Sequence, residues 1–119
     1  MRKILLVDDD EDMLILVEIM LIKKGFTVMA LGDGKQVLAK MDSFHPDLVI
    51  LDINLGDTDG REICRDIKLL PDFSDIPVIL YSAQSWPDLS IADCKANTFI
   101  QKPFSQQFFL EKIEAFIAA

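Results

Sequence analysis

ILLVDDDED, residues 4–12, passes from four apolar residues straight into five acids. A short, β-branched apolar run of this kind reads as a strand buried on both faces, and the acids mark where it ends. A second run, DLVILD at 47–52, closes in the same way on Asp52. Carboxylates gathered at the ends of two buried strands repel one another, so a cation is expected between them.

Working outward, short apolar runs alternate with helix-period segments, the pattern of βαβ units around a parallel sheet. Strands are expected at 3–7, 26–30, 47–52, 76–81 and 97–101, and helices near 10–24, 34–42, 60–70, 87–94 and 105–118. Gly25 is a helix stop, Asp33 and Ser105 are N-cap residues, and Pro46, Pro77 and Pro103 mark turns. Right-handed crossovers then give a doubly wound three-layer α/β sandwich. Ligands of such sheets bind beyond the carboxyl ends of the strands. That rim collects Asp8, Asp9 and Asp52, and it also receives Ser82 and Lys102 after the fourth and fifth strands.

A chain of 119 residues fits one domain, 1–119, and 50% apolar content suffices for one core. Twenty acidic residues against 12 basic ones, net charge −8, argue against direct nucleic-acid binding. Cys64 and Cys94 have neither CxxC spacing nor partner histidines and read as reduced thiols of a cytoplasmic protein. The longest apolar region, Met13 to Ile22, is interrupted by Glu18 and falls short of a membrane span. Asp10, Glu11 and Asp12 suit the first turn of a helix, where the dipole favours negative charge. Asp57 and Asp59 lack the alternating ligands of a calcium loop.

The rim has its own chemistry. Hard divalent cations take oxygen ligands, so Asp8, Asp9 and Asp52, without histidine or thiolate, suit Mg²⁺ or Mn²⁺. A carboxylate can attack phosphorus, and the charge that develops then calls for a metal, a cation and a hydroxyl. Lys102 and Ser82 fit the last two roles.

VDD at 7–9, PDLVILDINL at 46–55, YSA at 81–83 and KPF at 102–104 stand in the order and spacing of one family. In these motifs the chain resembles, over nearly its whole length, the receiver domain of two-component response regulators, of the single-domain chemotaxis-regulator type. The resemblance implies a flavodoxin-like five-stranded parallel sheet of order 2-1-3-4-5 with five helices. It implies Asp52 as phosphoacceptor, Asp9 as direct metal ligand, Asp8 as a ligand through water, and the backbone carbonyl of Asn54 as a further ligand. Lys102 would pair with the phosphoryl group, Ser82 would hydrogen-bond it, and the amide of Ala83 would hold an oxygen. Phe99 takes the aromatic switch position, and Lys102-Pro103 would be a cis peptide. Implied partners are a histidine kinase or histidine phosphotransfer protein and a downstream effector, for a phosphorylation-switched module with no output domain of its own.

The chain departs from the family pattern at Gly56, where proline is usual, and at Lys95, where glycine is usual. The segment between Ser82 and Phe99 is also about two residues short, so a short or irregular fourth helix is expected. Three other functions share parts of the pattern. An aspartyl phosphatase would need a second acid where Asn54 stands, a flavin carrier would need a phosphate loop where DDDED would repel phosphate, and a receiver-like domain that has lost phosphorylation would not need the five rim residues. Trp86, four residues past Ser82, is placed either to cover the sheet or to sense the site.

The first helix carries more apolar surface than one core face needs. At about 100° per residue, Met13, Leu16, Val17, Met20 and Leu21 gather toward the sheet, and Ile15, Ile19 and Ile22 gather on the opposite side. The isoleucine stripe is a candidate surface for a phosphodonor or for a homodimer.

Overall fold

The computed structural model of the chain describes residues 2–84 and 88–117. Its main sheet holds β1 (Lys3–Val7), β2 (Thr27–Leu31), β3 (Leu48–Asp52), β6 (Val78–Ser82) and β7 (Thr98–Gln101). All neighbours are parallel, in the order β2-β1-β3-β6-β7, which is the expected 2-1-3-4-5 once a small hairpin is set aside. The hairpin pairs β4 (Asn54–Leu55) with β5 (Thr58–Asp59). The helices are α1 (Glu11–Lys23), α2 (Val37–Phe44) after a 3₁₀ turn at Gly34–Gln36, α3 (Gly60–Leu69), α4 (Asp88–Asp93) and α5 (Gln106–Glu114).

Alternation along the strands divides the core into two layers. Leu5, Val7, Val49, Leu51, Val78 and Leu80 point toward α2, α3 and α4, where Met41, Ile63, Cys64 and Ile67 meet them. Ile4, Leu6, Leu48, Ile50, Ile79 and Tyr81 point toward α1 and α5, against Val17, Leu21, Phe109 and Ile113. Both faces of β1 and β3 are therefore buried, which is why their sequences run apolar without alternation.

Register sets the rim. Leu51 pairs with Val7 and Leu80, Asp52 pairs with Tyr81, and Ser82 pairs with Gln101. The chain thus leaves β1, β3, β6 and β7 along one edge, and the residues that follow come together there. Caps fix the exits locally. Asp10 accepts from the amides of Asp12 and Met13, Asp33 from Lys35, and Ser105 from Phe108. Gly25, at φ 97°, follows the end of α1 in the left-handed region that glycine tolerates. Lys95 takes φ 63° before β7, a left-handed conformation that glycine adopts more readily.

The structure corrects the sequence reading in three places. Leu16 does not face the sheet; it is 59% exposed, and Leu14 packs inward in its stead. The buried side of α1 centres between Val17 and Leu21, about 120° from Leu16 and about 40° from Leu14 at 3.6 residues per turn. Strands β2, β3, β6 and β7 each begin one or two residues later than expected, and β6 ends on Ser82 itself. At β6 the cause is a turn, in which the amide of Ile76 bonds to the carbonyl of Phe73 before Pro77. The hairpin after Asp52 was not foreseen, whereas the fourth helix is short, at six residues, as expected.

Candidate functional site

The rim residues converge as their strands end. Asp8 and Asp9 follow β1, Asp52 is the last residue of β3, and Lys102 follows β7, tied back by its amide to the carbonyl of Ser82 at 2.8 Å. Lys102-Pro103 is cis, as the resemblance implied. One carboxylate oxygen from each of Asp8, Asp9 and Asp52 lies within 4.8 Å of the others. Asp8 and Asp52 are buried and Asp9 is exposed, so the cluster opens to solvent on one side. Asp10 caps α1 instead of joining the cluster, Asp57 pairs with Lys35, and Asp59 pairs with Arg61.

Lys102 is the cation among these acids. Its ammonium lies 2.9 Å from Asp52 Oδ2 and 3.1 Å from Asp8 Oδ2. The other oxygen of each carboxylate accepts a backbone N–H two residues on, Asp8 Oδ1 from Asp10 at 3.0 Å and Asp52 Oδ1 from Asn54 at 2.9 Å. Burial raises the Asp52 carboxyl above its ordinary value, against the Lys102 and Asn54 hydrogen bonds that lower it, and the charge of Asp8 adds to the rise. Desolvation pulls the Lys102 ammonium down, but the hydrogen bonds and charges of Asp52 and Asp8 outweigh it and leave the lysine raised.

Three acids against one lysine leave an excess of two negative charges in a partly dry site, a setting that favours a further cation. The donor set is made of oxygen alone and fits a hard divalent ion held by Asp8, Asp9 and Asp52. Ser82, fully buried, accepts from the amide of Gln84 at 3.1 Å and faces the Asn54 side-chain amide at 3.5 Å. Ala83 is exposed in the bend after β6. Phe99 is half-buried against the layer that includes Ile91 and Cys94, on the α4 side of β7. Ile15, Ile19 and Ile22 are exposed on α1, at 55%, 47% and 53%. Trp86 lies outside the described residues.

Two residues have roles at the site that the sequence reading did not assign. A Cβ on Gly60 would lie 2.1 Å from the carbonyl oxygen of Asp52, and the Gly60 amide bonds to the carbonyl of Ile53 at 2.8 Å. The start of α3 is therefore pressed against the end of β3, a closeness that only glycine permits. The Asp59-Gly60 pair signals a turn in sequence, but not this contact. The second is Tyr81, whose hydroxyl donates to Asp8 Oδ2 at 2.6 Å. Burial, then the charge of Asp8, keeps this phenol protonated far above the usual range. The signal was a lone polar atom inside the apolar run VILY.

Comparison with known proteins agrees with this geometry. The response regulator receiver domain profile matches residues 4–114. The alkaline phosphatase synthesis transcriptional regulatory protein PhoP of Bacillus subtilis is 28% identical over 98% of this chain and 48% of its own length. The CAI-1 autoinducer sensor kinase/phosphatase CqsS of Vibrio cholerae is 33% identical over 98% of this chain and 17% of its own length. The chain thus spans less than half the length of these relatives. Among solved structures, the chemotaxis protein CheY4 of Vibrio cholerae superposes with a TM-score of 0.92 at 24% identity, covering 98% of this chain and 99% of that one, a likeness of fold. The response regulator TrrA of Thermotoga maritima, in complex with Mg²⁺-BeF, superposes with a TM-score of 0.88 at 30% identity, covering 98% of this chain and all of that one.

Proposed function

This chain belongs to the response regulator receiver domain family, and we propose that it is a phosphoacceptor module that takes a phosphoryl group onto Asp52 and changes its partner-binding face in response. The observation that carries the reading is the placement of Asp52 with Lys102 Nζ at 2.9 Å and two further carboxylates beside it. No separate catalytic acid or base is needed for such chemistry, because a carboxylate is already a nucleophile near neutral pH.

The donor is a phosphohistidine of a histidine kinase or of a phosphotransfer protein. An oxygen of Asp52 bonds to phosphorus while the phosphorus–nitrogen bond breaks, and the imidazole leaves. Asp8, Asp9, Asp52 and the backbone carbonyl of Asn54 would hold Mg²⁺ or Mn²⁺, which neutralises charge on the phosphoryl oxygens. Lys102 turns from the two carboxylates to the new phosphoryl group. The Ser82 hydroxyl leaves the Gln84 amide to bond a second oxygen, and the amide of Ala83 holds a third. The space vacated near Ser82 admits the ring of Phe99, which shifts the surface formed by α4, β7 and α5 toward its effector-binding form. The exposed stripe Ile15, Ile19 and Ile22, widened by Leu16, is the proposed surface for the phosphodonor or for a second copy of the chain. The domain acts in the cytoplasm; among the described residues no helix is long and apolar enough to cross a membrane.

Intact-mass analysis after incubation with acetyl phosphate tests this function. One added phosphoryl group is expected, dependent on Mg²⁺, removed by chelation and absent in Asp52→Ala. Equal labelling of that variant would refute the assignment.

A further inference from the structure

Tyr81 is the chain's only tyrosine, and two groups of the site rest on it. Its ring is fully buried, with centroids 6.2 Å from Phe104 and 6.3 Å from Phe109, themselves stacked at 4.4 Å. Packing of this kind fixes the two torsions of the side chain and so fixes where its hydroxyl sits. The hydroxyl donates to Asp8 Oδ2 at 2.6 Å, within the range of a short charge-assisted hydrogen bond. On the ring face, 4.2 Å from the centroid, lies the ammonium of Lys102.

Asp8 is wholly buried and accepts from three donors: the Asp10 amide on Oδ1, and Tyr81 and Lys102 together on Oδ2. One of the three is due to leave, because Lys102 must turn toward the phosphoryl group. A buried carboxylate that loses its ammonium depends on the side-chain donor that remains, and without it the carboxylate turns out of place. Tyr81 is that donor, on a ring that packing holds still.

We propose that Tyr81 is a positioning residue of the metal and phosphoryl site: its hydroxyl fixes the Asp8 carboxylate for the divalent ion, and its ring face guides Lys102 between Asp8 and Asp52. The inference rests on the receiver reading of the preceding subsection and adds to it a residue outside the four motifs' acidic, hydroxyl and lysine positions. Partners that orient a metal's carboxylate ligands commonly matter to affinity by roughly ten-fold.

The test uses the full chain and Mg²⁺ itself. Tyr81→Phe removes only the hydroxyl and keeps the ring between Lys102 and the phenylalanines. By calorimetry it should bind Mg²⁺ about ten-fold more weakly than wild type. Its slower labelling by acetyl phosphate should be recovered by raising Mg²⁺, whereas Tyr81→Leu, which also removes the ring face, should stay slow at saturating Mg²⁺. In wild type labelled with ¹³Cζ-tyrosine, the single tyrosine resonance should shift on adding Mg²⁺. Mg²⁺ affinity of Tyr81→Phe within two-fold of wild type, or a tyrosine resonance indifferent to Mg²⁺, would overturn the role of the hydroxyl. Tyr81→Leu labelled like Tyr81→Phe at saturating Mg²⁺ would overturn the role of the ring. Calorimetry and the resonance require no phosphorylation, so a wild type that binds Mg²⁺ but takes up no phosphoryl group would refute the phosphoacceptor reading, and with it the role of the ring, without touching the role of the Tyr81 hydroxyl.

Discussion

The ammonium of Lys102 lies 2.9 Å from Asp52 Oδ2, so the proposed acceptor is capped by the cation that is meant to serve the incoming phosphoryl group. Removing that cation leaves Asp8 and Asp52 as neighbouring buried charges. Lys102→Ala should cost about 3 kcal/mol of stability in chelator, since breaking a buried pair strands its partner. Mg²⁺ should restore part of the loss. Urea unfolding with and without Mg²⁺ checks both; an unchanged midpoint in chelator would mean that the pair contributes little.

Neutralising the acceptor should act in the opposite direction. Asp52→Asn removes one of three crowded negative charges while Asp8 still pairs with Lys102, and should stabilise the metal-free fold by on the order of 1 kcal/mol. The sign follows from the raised Asp52 carboxyl. Between its ordinary value of 3.8 and its raised one, the folded state keeps a proton that the unfolded chain has released. Stability therefore falls as pH rises through that window. The stability difference between variant and wild type, measured in chelator, should grow from acid toward neutral pH. A difference that shrinks would contradict the direction assigned to Asp52.

Gly60 offers no room for a side chain. With its Cβ position 2.1 Å from the Asp52 carbonyl oxygen, Gly60→Ala must push α3 away from β3 or move the acceptor itself. A loss of about 2 kcal/mol or more is expected by analogy with overpacked cores, together with slower labelling of Asp52. Wild-type melting and labelling in this variant would show that the contact relaxes freely.

The stripe on α1 predicts a separation of two readouts. Ile15, Leu16, Ile19 and Ile22 are each about half exposed, so changing Ile15 and Ile19 to Ser should alter stability by roughly 0.5 kcal/mol at most. Transfer from a cognate phosphodonor protein should weaken, or a homodimer should dissociate, while labelling by acetyl phosphate stays as in wild type. Unchanged protein-to-protein transfer with an unchanged oligomeric state would remove the stripe from the interface.

Much of this was legible because buried parallel strands and strand-end acids leave strong one-dimensional traces. The runs ending at Asp8 and Asp52, the caps Asp33 and Ser105, and the positions of Ser82 and Lys102 could all be placed from local pattern and the family motifs. Leu16 was misplaced because α1 is apolar almost all round, so its periodicity alone does not say which side faces the sheet. The hairpin at Asn54–Leu55 and Thr58–Asp59 is too short to show alternation. Gly60 and Tyr81 depend on approaches between β3 and α3, and between β6 and the residues after β1, that are set by tertiary packing. Nothing in their own sequence neighbourhoods encodes those distances.

Borohydride reduction followed by peptide mapping tests the acceptor assignment most directly, because an acyl phosphate on aspartate is reduced to homoserine. After acetyl phosphate and Mg²⁺, homoserine should be found at position 52 and at no other aspartate, and chelation before labelling should abolish it. Homoserine at Asp8 or Asp9, or a phosphorylated protein with none at 52, would contradict the assignment of Asp52 as the phosphoacceptor.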